Sequence, residues 1–171
     1  MPNQDYALMM ARYNQWQNDS LIEAANSLDD VQRKTDRGSF FGSIQNTFSH
    51  ILWADQLWLS RFAGTAAPKG GITQSVDQFT DWSALCPQRT QFDKIILNWA
   101  KNVKSIWFSG DLSWFSGAIN QEVTKPKKLL ILQFFNHQTH HRGQIHAMLT
   151  AAGAHPNDTD VPFMPNSYLD R

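Results

Sequence analysis

NHQTHHRGQIHAM, residues 136–148, carries four of the six histidines of this 171-residue chain: His137, His140, His141 and His146. On a helix, positions four apart share a face, so His137 and His141 project the same way about one turn apart. Continued in both directions, that face reads Leu130, Phe134, His137, His141, Ile145 and Met148. Two imidazoles therefore sit inside an apolar stripe. Each ring carries a donor and an acceptor that burial removes from water, so the pair requires partners. A divalent metal meets that requirement most simply.

Outward from this stretch, Pro126 is placed to open a long helix and Gly153 to close it. Upstream, three further helices are expected. The first runs from Asn3 to Ala25, with Tyr6, Met9, Met10, Tyr13, Trp16 and Leu21 at roughly helical spacing. Polar residues from Asp29 to Gly38 read as a loop, and Ser39 as the cap of a second helix reaching Phe62. Its stripe is Ile44, Phe48, Ile51, Leu52, Trp58, Leu59 and Phe62. The fragment GTAAPKGG at 64–71 ends it. Residues 72–85 read as a short helix or an ordered loop. Pro87 suits the first turn of a third helix carrying Phe92, Ile95, Ile96, Trp99, Val103 and Ile106, with Ser109 and Gly110 as its end. From Asp111 to Thr124 a small hairpin and an irregular crossover fit equally well. The tail, 154–171, reads as a strap over the surface.

Four amphipathic helices without a strong strand signal predict an all-α, four-helix bundle with long crossover connections. At this length one domain spanning 1–171 is expected. Lys+Arg and Asp+Glu both number 15, a balance that argues against nucleic acid as a partner. A single cysteine, Cys86, excludes an internal disulfide framework and fits a reducing compartment. The start MPNQDYALMM lacks the features of a signal peptide, and no apolar run approaches a membrane span. A cytoplasmic protein with no membrane partner is the expectation.

Two histidines on a face supply two ligands, and most sites need a third. Outside the cluster only His50 and His155 remain. His155 lies in the tail beside Pro156 and reads as solvated. His50 is mid-way along the second helix, with Thr47, Ala54 and Leu57 on its face. Taken alone it reads more readily as a satisfied core residue. If the second and fourth helices pack side by side, however, it can meet His137 and His141. Three neutral imidazoles suit zinc, nickel, iron or copper, with zinc and nickel foremost. His140 could replace His141, although a role beside the ligands or facing substrate suits it better. His146 falls on another side of the helix and reads as structural.

Metalloproteases of the H-E-x-x-H type place a glutamate directly after the first histidine; here that position is Gln138. That difference argues against a peptidase of that class. Trp16, Trp58 and Trp99 fall on apolar stripes and read as core, while Trp53 and Trp114 could also line a pocket beside the metal. Lys125, Lys127 and Lys128 crowd the start of the fourth helix and read as a solvated basic rim. Cys86, outside the cluster and without a base, is not a nucleophile.

The string NHQTHHRGQIHAMLTAAG, together with His50 in NTFSHILWADQLWLSRF and the opening YNQW at 13–16, resembles the DinB-like (damage-inducible) family over nearly the whole chain. The resemblance implies a four-helix bundle, commonly a homodimer, with a metal held by His50, His137 and His141. Arg142 and Gly143 match the family pattern without a role that the residues themselves reveal. The wider superfamily is similar to enzymes that use low-molecular-weight thiols. The expected functions are therefore a metal-dependent thiol transferase on a small-molecule substrate, a metal-dependent hydrolase, or a metal-stabilised binding protein without catalysis.

Overall fold

The long helices form where apolar spacing places them, but side-chain caps and burial set their ends in the computed structural model, which describes residues 1–170. α1 (Gln4–Asn26) begins at Asn3, whose side chain accepts from the Tyr6 N–H at 2.9 Å. The stretch expected as loop contains a short helix, α2 (Asp30–Lys34). A reciprocal cap makes it: Asp29 accepts from the Gln32 N–H at 2.7 Å, and the Gln32 side chain accepts from the Asp29 N–H at 3.0 Å. α3 (Ile44–Ala63) starts at Ser43, four residues beyond the expected Ser39 cap. Gly38 and Gly42, both at positive φ, hold residues 38–42 in a tight turn that helical geometry cannot continue.

The third long helix, α4 (Trp82–Asn102), starts five residues before Pro87, which lies inside it. Proline there removes one hydrogen bond of the ladder. Burial of Trp82 and Leu85 outweighs that loss: the indole packs edge-on to Phe48 and donates to Asn26 Oδ1 at 2.8 Å. The same helix ends at Asn102 rather than near Gly110, because Val103 turns extended. A separate 3₁₀ turn, Ser105–Phe108, then buries Phe108 and lets Trp107 donate to the Phe62 carbonyl at 3.1 Å. Of the two options for residues 111–124, the hairpin is the one observed: β1 (Asp111–Ser116) pairs antiparallel with β2 (Gln121–Pro126), with Trp114 opposite Val123. α5 (Lys127–Ala151) follows directly and ends before Gly153, which takes a left-handed conformation. The tail runs along α1 as a strap: Tyr13 Oη donates to the Thr159 carbonyl at 2.8 Å and Gln17 to that of Asp158 at 2.9 Å. It finishes in α6 (Asn166–Leu169), where Tyr168 Oη donates to Asp19 at 2.9 Å.

α1 packs against α4 and α5, and α3 packs against the same two. Helices consecutive along the bundle, α1 with α3 and α4 with α5, are therefore diagonal, as long crossovers permit. No helix among the described residues is long and apolar enough to cross a membrane.

A polar network crosses the centre of this apolar core. Arg89 of α4 donates to Asp55 of α3 at 2.6 Å and to Asp93 at 2.7 Å, with all three side chains buried. Asn14 and Asn18 of α1 donate to Asp93 at 2.9 and 3.0 Å. From α5, Gln138 donates to Asp55 at 2.9 Å, while Arg142 donates to Asn14 Oδ1 and lies over the Tyr13 ring. All four long helices thus contribute. Two guanidinium groups balance two carboxylates, which makes full burial tolerable. Burial raises the pKa of both Asp55 and Asp93, and the Arg89 charge opposes the shift.

Candidate metal centre

α3 and α5 lie side by side, and this packing brings His50 to the His137/His141 face. His137 Nε2 lies 3.3 Å from His50 Nε2 and 3.2 Å from His141 Nε2, with one candidate donor atom of each ring within 4.8 Å of the others. Two nitrogens bound to one ion at about 2.1 Å stand about 3.0 Å apart at a right angle and about 3.4 Å apart at the tetrahedral angle. Both observed contacts fall in that interval. The three imidazoles could hold a metal ion.

Hydrogen bonds on the far side of two rings fix which nitrogen points inward. Ser75 Oγ donates to the Ile72 carbonyl at 2.6 Å, so toward His50 Nδ1, 2.8 Å away, it acts as acceptor. His50 therefore carries its proton on Nδ1 and presents the Nε2 lone pair to the cluster. Gln144 does the same for His141: its Oε1 lies 2.8 Å from Nδ1, while its Nε2 faces the exposed His140 at 3.3 Å. Nδ1 of His137 is buried without a hydrogen-bond partner, so its tautomer is set only by what it meets inside. Two lone pairs aimed at a third imidazole repel unless a cation stands among them, and the neutral third ring has one proton for two contacts. The donor set fits a metal ion.

The electrostatics agree. Burial, reinforced by the neighbouring His137 and His141, depresses His50 to about 3. Burial, then His141 and His140, depresses His137 to about 4. His141 is lowered as well, by burial against the opposing Gln144 hydrogen bond. All three rings are neutral at pH 7, the form that ligates.

Phe41 stacks on His50 with ring centroids 3.8 Å apart and also reaches His141, covering one side of the cluster. The other side opens into a cleft of about 790 Å³ bounded by α3, the 70–74 loop, the hairpin turn and Gln133 of α5. Trp53 and Trp114 both line it beside His50 and His137; the buried Trp53 donates to the Lys69 carbonyl at 3.1 Å. Trp58, expected in the core, is half-buried and forms part of the same wall. Trp16 is buried, and Trp99 is half-buried against the core.

The remaining candidates fall elsewhere. His140 is exposed and outside the cluster, and His155 is exposed in the tail. His146 is half-buried in a separate cavity of about 300 Å³ with Tyr13 and Arg142. Burial pushes the Cys86 thiol up to about 11, so it stays protonated. Lys127 lies over the Trp107 ring, while Lys125 is exposed. Sequence reasoning missed Phe41, Ser75 and Gln144. Gln144, three residues after His141 on a helix, was within reach of the spacing rule; Ser75 comes from a short 3₁₀ helix, Thr73–Val76, and Phe41 from a loop.

A family model described as DinB family matches residues 1–169. Protein DinB of Bacillus subtilis (strain 168) is 25% identical over 161 residues, covering 91% of each chain. The crystal structure of a DinB-like protein from Bacillus cereus ATCC 10987 superposes with a TM-score of 0.62 at 17% identity, over 84% of this chain and 90% of that one. That likeness extends to the fold.

Proposed function

The chain belongs to the DinB family, and from that membership and the histidine cluster we propose that it is a metal-dependent transferase acting with a low-molecular-weight thiol. His50, His137 and His141 hold a divalent ion at the end of the cleft. When bound, such an ion supplies Lewis acidity that favours the thiolate, the nucleophilic form of a thiol. The observation that carries the reading is the pair of fixed tautomers, His50 through Ser75 and His141 through Gln144, both aimed at His137 beside an open cleft.

The chain's own residues have separable parts. Ser75 and Gln144 hold the ring protons away from the ligand side. Phe41 and Trp53 flank His50 and keep water from its faces. Exposed His140, beside His141, is placed to pass a released proton to solvent. Hydrolysis has less support, since no Asp or Glu joins the three histidines among the described residues. Asp55, one turn and a half along α3 from His50, is engaged by Arg89 and Gln138.

The test is a conjugation assay on untagged protein, with glutathione and bacillithiol as donors across a panel of electrophiles. Metal-dependent turnover with at least one thiol is expected. No turnover with any donor, alongside metal-dependent cleavage of esters or lactones, would replace transfer by hydrolysis. Neither activity, with a large chelator-induced loss of melting temperature, would leave the non-enzymatic reading.

A further inference from the structure

His50, Ala54, Leu57, Trp58 and Arg61 fall at helical spacing on one face of α3, and this face is the floor of the cleft. Arg61 closes the end remote from the histidines. Its guanidinium lies 4.7 Å from the Trp58 ring and 5.3 Å from the Trp114 ring. The two indoles meet edge to face at 5.5 Å. No carboxylate lies within ion-pair distance of Arg61 among the described residues, and nothing there accepts a hydrogen bond from it. The buried Arg89 and Arg142, by contrast, have oxygen partners: Arg89 has two aspartates and Arg142 has Asn14 and Thr139. Arg61 is thus a cation held in place by aromatic faces, with its planar fork of donors unspent and half-buried in a cleft. Burial without a counter-charge lowers its pKa, which an arriving anion would relieve.

We propose that Arg61 is a specificity residue that binds the carboxylate end of an elongated thiol or substrate whose other end reaches the histidine cluster. This rests on the metal reading above and adds the substrate class. Eleven residues separate His50 from Arg61, which is about 16 Å along a helix axis. Allowing for side-chain reach, the gap spanned is on the order of 10–15 Å. The indoles of Trp58 and Trp114 supply an apolar wall for the body of the ligand. The occupant is therefore an anionic small molecule with a carboxylate at one end, an apolar or planar middle, and a sulfur at the other.

The experiment uses the cobalt(II)-loaded protein and reads the thiolate-to-cobalt charge-transfer band while titrating 8-mercaptooctanoate, its uncharged analogue 8-mercapto-1-octanol, and 3-mercaptopropionate. A hydrogen-bonded charge pair predicts at least about tenfold tighter binding of the long acid than of the alcohol. The short acid, unable to span the cleft, shows no such advantage. Arg61→Gln abolishes the preference and leaves the alcohol's affinity unchanged; Arg61→Lys retains part of it. Equal affinities for acid and alcohol in the wild-type protein, with the cobalt band present, overturn the proposal and leave the metal site standing. If no thiol produces the band, the metal reading fails instead. Calorimetry of octanoate against metal-free protein then decides the Arg61 site: binding lost in Arg61→Gln supports it, and indifference to the substitution overturns it.

Discussion

Two polar sites share the α3–α5 interface, and they are opposite in kind. On α5, His137 and His141 face one way, while their immediate neighbours Gln138 and Arg142 face the other. On α3, His50 belongs to the first set and Asp55 to the second. The inner network is closed: two cations, two carboxylates and their amide partners answer one another, with Arg89 fully buried. The histidine cluster is open: His50 and His141 direct lone pairs at His137, whose single ring proton cannot answer both, next to a cleft. A closed network holds a fold together, whereas an open and less deeply buried one could hold a metal ion.

The contrast is sharpest if each site is broken separately. Arg89→Ala leaves Asp55 and Asp93 buried and unpaired, and should cost about 3–5 kcal/mol in urea unfolding. His137→Ala should abolish metal binding, because His137 is the ring that both others approach. In chelator its melting temperature should stay within a few degrees of wild type, about 1 kcal/mol for a chain of this size. Equal destabilisation by the two substitutions would erase the distinction.

A smaller effect isolates orientation from ligation. Ser75→Ala removes the acceptor that fixes the His50 tautomer, and about 10–100-fold weaker metal binding is expected by competition with a chromogenic chelator. Unfolding of the metal-free variant should lose about 1–3 kcal/mol, because the buried His50 Nδ1–H is left without its acceptor.

A further effect is in pH. In metal-free protein the folded rings resist protonation, with His137 at about 4 and His50 at about 3. The unfolded chain takes up those protons from about pH 6.5 downward. Below that pH the unfolded state binds more protons, so stability is lost as pH falls, until the folded rings also titrate. A His50→Gln variant should show a shallower decline between pH 6.5 and 4, measured by urea midpoints at fixed ionic strength.

Much of the bundle was legible because apolar spacing is a local signal, and local signals set α1, α3 and α5 within a few residues, while α4 lies displaced at both ends. The misplacements have nonlocal causes. Pro87 marks a helix start by a local rule, yet the fit of Trp82 against Phe48 and Asn26 extends α4 upstream of it. His137 and His141 were legible as a pair, since one helix carries both. His50 depended on which helices are neighbours, and family resemblance supplied what spacing left conditional. Ser75 and Phe41 were beyond reach: Ser75 sits in a short 3₁₀ helix, Thr73–Val76, and Phe41 in a loop turned at Gly42. Gln138 and Arg142 stood in plain view within the motif, but their roles became visible only with Asp55 and Asn14 across the core.

Anomalous diffraction at a metal edge, from crystals of untagged protein, tests the central claim most directly. One peak is expected, with His50, His137 and His141 Nε2 each about 2.0–2.2 Å away. A peak elsewhere, or none after incubation with zinc and nickel, would contradict it.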